Sequence, residues 1–249
     1  MIGSVFQCNI CGADSVFNPE GDWREAPSCE TCGSSVRMRG IIDALLERVT
    51  GKSQVLSAME PRPLCGAGLS DWTGYADRLA SIFDYTNTFY HQDPRVDITA
   101  PGEAWLDRLD FLISSDVFEH VPVPVERAFS GSFAMLRSGG ILILTAPYGD
   151  DEATVEHYPD MQDFAVAQVA GDWVVVVRNR DGSTVLDTAP VFHGGPGTTL
   201  EMRVFGLAHL AYLLAEVGFV DIKLHEDAVP QWGVFQPHRY GLPISARKP

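Results

Sequence analysis

Four of the five cysteines crowd into the first 32 positions. Cys8, Cys11, Cys29 and Cys32 form C-x2-C-x17-C-x2-C, a spacing at which two short knuckles each turn two sulfurs toward one ion. Glycine follows each knuckle, as Gly12 and Gly33, where the backbone must bend its amides toward the thiolates. Four thiolates close a tetrahedral shell and leave no position for water, so the expected role is a structural zinc. The stretch between the knuckles is too polar to fold alone, and the metal would supply its folding energy. Four reduced thiols or two disulfides are the alternatives. Clustered cysteines in a chain expected inside the cell point to metal first. Cys65 has no cysteine near it and is expected to be an uninvolved thiol.

Histidine and tyrosine supply the candidate proton-transfer groups. His120 stands in the segment Asp116-x-x-Glu119-His120, His157 in VEHYP and His193 in VFHGGPG, while Tyr148 follows the run ILILTAP. An imidazole titrates near neutral pH and can take a proton from a hydroxyl. The Gly-Gly-Pro-Gly run after His193 predicts a sharply bent loop able to approach a ligand. Arg203 is a candidate to hold an anionic group. For each of these, ordinary packing or exposure is the alternative. Glu119 is expected to fix a loop through hydrogen bonds to the backbone.

These groups need elements to hold them. Apolar residues at 41, 42, 45, 46 and 49 mark one helical face, ended by Gly51. SQVLSAM (53–59) predicts a buried first strand, followed by a loop rich in Pro and Gly. A helix over 75–83 and strands over 84–90, 95–98 and 109–115 follow. Val125, Phe129, Phe133 and Leu136 repeat at helical spacing, with Gly139-Gly140 as the stop. ILILTA (141–146) is a strand. Leu207, Leu210, Leu214 and Val217 mark a helix before strands at 219–225 and 243–247. Strands that are apolar throughout and alternate with helices predict an α/β fold with a parallel sheet covered on both faces. Ligands bind such sheets beyond the carboxyl ends of the strands, so the loops after residues 59, 90, 98, 115 and 146 are the places to look. One segment breaks the alternation: 173–192 predicts a β-hairpin turning near Asp181-Gly182, inserted over that face. The hairpin is left open as a lid or as a contact between two copies in a homodimer.

The chain carries 33 acidic against 18 basic residues, a net charge of −15. That surface repels nucleic acid and anionic membranes. No apolar run approaches the roughly 20 residues of a bilayer span. The amino-terminal residues lack a basic region followed by an apolar stretch, so no signal peptide and a cytoplasmic location are expected. A small molecule, a sugar or a peptide suits this charge better.

The stretch 109–148, LDFLISSDVFEHVPVPVERAFSGSFAMLRSGGILILTAPY, resembles the core of class I S-adenosylmethionine (SAM)-dependent methyltransferases of the branch called type 11. Asp116, Glu119, His120, Leu136, Gly139, Gly140 and Pro147 carry the match over about 40 residues, with Ser138 where a proline is usual. The front half is similar to a subgroup that begins with a cysteine ribbon and whose first strand ends in a Pro/Glu loop, here VLSAMEPRP. The resemblance implies a Rossmann-like, seven-stranded, mostly parallel sheet. It also implies a zinc ribbon over 1–40, a methyltransferase domain over 41–249, and a β-hairpin insertion at about 165–200.

The resemblance also implies a cofactor site. Glu60 would hold the SAM ammonium, and Gly66 and Gly68 would stand in for the usual glycine triplet. No carboxylate ends the second strand, so Asn87, Thr88 or Tyr90 would serve the ribose. Asp97 and Ile98 fit the adenine site, a carboxylate for the exocyclic amine beside an apolar flank. The backbone of Ser115 and Asp116 would line the methionine portion. His120, His157, His193 and Tyr148 are the catalytic candidates. The implied activity is methyl transfer to a small molecule or sugar, at oxygen, in glycan or secondary metabolism. A catalytically silent scaffold of the same fold and a ribbon-based protein adaptor are the alternatives. A nicotinamide-dependent enzyme is disfavoured, because neither the glycine fingerprint nor an acidic residue about 20 positions on is found.

Overall fold

The computed structural model describes residues 3–18, 21–150 and 153–249. The central sheet is built from β1 (Cys65–Leu69), β2 (Asp84–Thr88), β3 (Leu109–Ser115), β4 (Leu136–Thr145), β5 (Val220–Leu224) and β6 (Ile244–Arg247), in the order β5-β6-β4-β3-β1-β2. The pairs β1–β2, β1–β3 and β3–β4 are parallel, and β6 runs antiparallel between β4 and β5. Strand direction is thus shared by all but β6. This is the Rossmann-like α/β layout, with six paired strands among the described residues.

Alternation in the two middle strands explains why the sheet is covered twice. Phe111, Ile113, Ile141 and Ile143 face one side, where they pack with α1 (Val36–Thr50) and α2 (Thr73–Ile82). Leu112, Leu142 and Leu144 face the other, against α3 (Glu126–Met135) and α4 (Leu207–Glu216). Such period-two burial on both faces leaves neither side for water. Ser35 caps α1, its hydroxyl accepting from the Met38 amide, and Gly51 ends the helix at φ 77°.

The ribbon has no separate core. Phe6, Cys8, Ile10, Phe17 and Cys29 lie in the same apolar cluster as Ile41, Leu45 and Phe111. Arg39, fully buried, ties them together: its guanidinium donates to the carbonyls of Ser34 and Gly233 and to the Ser28 hydroxyl, over the Phe6 ring.

Four local expectations give way to packing. SQVLSAM is not a strand; it holds a short 3-10 turn, Leu56–Ala58, with Leu56 buried against the ribbon. The first strand is CGAGL instead. The segment RVDI contributes one bridge, Phe89 to Arg95, rather than a strand. Gly139 and Gly140 do not stop α3 but lie inside β4, where the register with β3 shifts. The insertion begins earlier than expected, as a three-stranded antiparallel sheet of Met161–Val169, Asp172–Asn179 and Thr184–Asp187. Its first turn is Ala170-Gly171, both at positive φ, as a type I′ hairpin loop requires. The expected turn at Asp181-Gly182 closes the second pair. Among the described residues no helix is long and apolar enough to cross a membrane.

Candidate functional site

A cavity of about 450 Å³ opens beyond the carboxyl ends of β1, β2 and β3. The chain order reverses between β1 and β3, and that reversal leaves a crevice where open α/β sheets bind ligands. Leu69 and Ser70 come from the end of β1, Thr88 to His91 from β2, and Val96 to Thr99 from the following loop. His120 to Pro124 close a third side, and Phe164, Val166, Thr198 and Met202 from the inserted segment close the fourth. The volume suits a nucleoside-sized molecule, within the usual 300–1,000 Å³ for small-ligand sites.

Asp97 and Ile98 stand side by side in this wall, Ile98 buried and Asp97 half-buried. Within the loop, the hydrogen bonds to the Asp97 carboxylate fall on Oδ1, from the Thr99 amide at 2.9 Å and the Thr99 hydroxyl at 2.7 Å. Asp97 thus caps its own turn while standing in the cavity wall. Thr88 also lines the cavity, but its hydroxyl donates to the Gly68 carbonyl at 2.8 Å. Asn87 does not line it: the Asp71 amide donates to its side-chain oxygen at 2.9 Å, and its amide donates to the Asp71 carbonyl at 2.8 Å. It shapes the turn after β1. Tyr90 lies at the rim, about half exposed.

Several predicted residues are placed elsewhere. Glu60 is exposed on the loop before β1, at the amino end of the strands, opposite the cavity. Gly66 and Gly68 lie inside β1, and their role there is steric. A Cβ on Gly66 would enter the Phe111 ring, and one on Gly68 would strike Asp71 and Tyr85. Ser115 and Asp116 end β3 but do not line the cavity. Ser115 accepts a hydrogen bond from Arg37. The Asp116 carboxylate receives Arg24 twice, at 2.9 and 3.0 Å, and the Thr145 hydroxyl at 2.7 Å, with Arg37 at 3.3 Å. Burial opposes its charge, but Arg24 and Arg37 outweigh that and hold the carboxyl well below the usual carboxylate range. Tyr148 is fully buried, its hydroxyl engaged with the amide and carbonyl of Leu242. Arg203 is fully buried as well. It donates to Glu156 at 2.7 Å and to the carbonyls of Phe118 and Val121 at 2.7 and 2.6 Å, and so clamps the turn that carries Glu119 and His120.

The histidines converge in part. His120 borders the cavity and its ring lies 4.8 Å, centroid to centroid, from that of His193. Burial pushes the His120 imidazole toward its neutral form. Glu119 lies between the two rings, fully buried, and burial pushes its carboxyl up. The carboxylates of Glu119 and Glu201 push His193 up. His157 packs beside Glu201, its Nδ1 3.2 Å from that residue's backbone oxygen, and does not line the cavity.

In the ribbon the four sulfurs gather, with Cys8 to Cys32 and Cys11 to Cys29 both at 3.7 Å. A tetrahedron of zinc–sulfur bonds near 2.3 Å has an edge of about 3.8 Å, which these two separations match, and all four sulfurs lie within 4.8 Å of one another. Gly12 and Gly33 adopt φ 82° and 74°, and their amides donate to the carbonyls of Cys8 and Cys29 at 2.8 Å.

Glu119 does not fix its loop through its carboxylate, which has no hydrogen-bond donor among the described residues, and sequence reasoning missed three contributors: Arg24 and Arg37, Glu201 beside His193, and the cavity wall at Phe164 and Val166. The alternating pattern of MQDFAVAQV was the available signal for the wall. Nothing local could pair Arg24 with a partner 92 positions away.

No family model and no curated protein matches the chain. Solved structures do align with it. A 1,6-didemethyltoxoflavin-N1-methyltransferase of Burkholderia thailandensis matches at 15% identity and TM-score 0.43, over 84% of this chain and 78% of that one. A sugar N-methyltransferase of Streptoalloteichus sp. matches at 11% and 0.49, over 86% and 87%. An amino pentose methyltransferase of Micromonospora echinaspora matches at 11% and 0.47, over 87% and 93%. At such identities, with TM-scores below 0.5, these likenesses carry no argument about what this chain does.

Proposed function

We propose that this chain transfers a methyl group from SAM to a small-molecule or sugar acceptor, at an oxygen. The observation that supports this most is the cavity at the β1/β3 reversal, with Asp97 beside Ile98 in its wall. A carboxylate oxygen there accepts from an adenine amine while Ile98, Leu69 and Val96 flank the ring. Bound SAM supplies an electrophilic methyl on a sulfonium, which departs as a neutral thioether. What the protein adds is alignment and exclusion of water. On this reading the acceptor sits on the side of the cavity that the insertion closes, beside the Glu119–His120–His193 cluster, where its proton is lost. We further propose that the four cysteines hold zinc, in a purely structural role.

Calorimetric titration with SAM and with S-adenosylhomocysteine tests the reading. Micromolar binding is expected for both. No binding of either would instead favour the silent scaffold, a reading to which one observation lends weight: the Asn87 amide at the ribose end is already committed to Asp71.

A further inference from the structure

Glu119 is an anomaly. Its side chain is fully buried, yet neither carboxylate oxygen has a hydrogen-bond donor among the described residues. A buried carboxylate without a partner is strongly disfavoured, and such a group calls for a reason. What faces Oε1 is two ring nitrogens, Nε2 of His120 at 3.6 Å and Nδ1 of His193 at 3.5 Å.

The far nitrogen of each ring settles what the near one offers. Nδ1 of His120 lies 2.8 Å from the Leu200 carbonyl oxygen, which only accepts, so the ring proton sits there. Nε2 of His193 lies 2.7 Å from the Glu201 carboxylate, which draws the proton to that side. With both rings neutral, as metal ligands are, each turns a lone pair toward Glu119. This is how metal-binding histidines are held: the nitrogen away from the ion donates to a carbonyl or carboxylate. A proton shared with His193 would offset one of the two carboxylates that ring touches. A divalent ion offsets both Glu119 and Glu201.

We propose that Glu119, His120 and His193 bind a divalent first-row metal ion, with Zn²⁺ the reference case. The three ligand atoms lie within 4.8 Å of one another. Bonds of about 2.0–2.2 Å would place them about 3.3–3.5 Å apart, close to the two separations to Oε1. The backbone brings them together deliberately. Arg203 clamps the turn bearing Glu119 and His120, the Met202 amide donates to the Glu119 carbonyl at 2.8 Å, and His193 pairs through its strand with Thr199.

Two histidines and one glutamate leave at least one position open, the pattern of a working rather than a structural site. His120 borders the cavity, so that position is beside the proposed acceptor. The role rests on the methyl-transfer reading; the metal site does not. In that role an acceptor hydroxyl binds the ion and releases its proton to solvent. Its oxygen then forms the new O–CH3 bond as the S–CH3 bond breaks and the sulfur leaves as a thioether.

The test counts metal, without SAM. Protein stripped by chelator, reloaded with Zn²⁺ and desalted should hold one ion more per chain than His193→Ala or Glu119→Gln treated identically. Anomalous diffraction at the zinc edge from wild-type crystals guards against variants that misfold. A peak between Glu119 and the two rings is expected. Equal counts in wild type and variants, or anomalous density confined to the four cysteines, would overturn the proposal whatever the SAM titration gives.

Discussion

Arg24 of the ribbon grips Asp116 at the end of β3 through two hydrogen bonds, at 2.9 and 3.0 Å, with both side chains largely buried. The residue whose backbone the sequence resemblance assigns to a cofactor thereby anchors the ribbon through its side chain. Removing one partner of a buried pair leaves a charge uncompensated, at a cost of about 3–5 kcal/mol. Arg37 remains 3.3 Å from Asp116, so the lower end applies. Arg24→Ala should lose about 3 kcal/mol in urea unfolding. A loss under about 1 kcal/mol would mean that the pair is screened.

The ribbon and the sheet share one apolar cluster, so metal loss should be felt by the whole molecule. Cys29→Ser with Cys32→Ser is expected to cost one zinc per chain and lower Tm on the order of 10 °C in a single transition. A separate early transition, with the main unfolding unmoved, would show instead that the ribbon melts alone.

The cavity assigns opposite fates to two carboxylates. Asp97→Ala should weaken SAM about 10-fold or more, the loss of a charged hydrogen bond of about 1.5–3 kcal/mol. Glu60→Ala should leave the affinity within twofold, since that residue is exposed at the other end of β1. Calorimetry on the two variants reads both numbers, and a reversed order would discard the placement of the nucleoside.

Asp71 makes stability depend on pH. Burial raises its carboxyl from the ordinary 3.8 to about 7, although the Tyr85 hydroxyl donates to it at 2.5 Å. A folded state that holds the proton more tightly than the unfolded one is favoured at low pH. This contribution is complete below about pH 4 and is lost as pH rises through about 7. Asp71→Asn keeps an acceptor for Tyr85 and should flatten the slope between those values. Parallel curves for wild type and variant, from denaturant titrations at stepped pH, would refute the assignment.

Much of the frame was legible because its signals are local. LDFLISS is β3 residue for residue, and all of ILILTA but its last residue lies inside β4. The two CxxC knuckles announce their sulfurs' meeting. The first strand was hidden because propensity points the wrong way. An apolar run, SQVLSAM, serves as a turn under the ribbon, while the glycine-rich CGAGL becomes a strand since rings from neighbouring strands occupy the space beside it. The site was less legible than the frame. Asp97, Ile98 and His120 could be picked from their place beyond strand ends. Arg203 and Tyr148 have the right chemistry, but long-range packing commits them to backbone groups. Whether a polar side chain is free or engaged is a tertiary fact.

The inserted three-stranded sheet pairs with no strand of the central one, yet it lends Phe164 and Val166 to the cavity. One wall of the binding chamber is thus built on a detachable scaffold, while the opposite wall is fixed by the strands themselves. Substitutions can recut the first without disturbing the second, so the shape of the chamber on that side is set by the length and inward face of the inserted sheet.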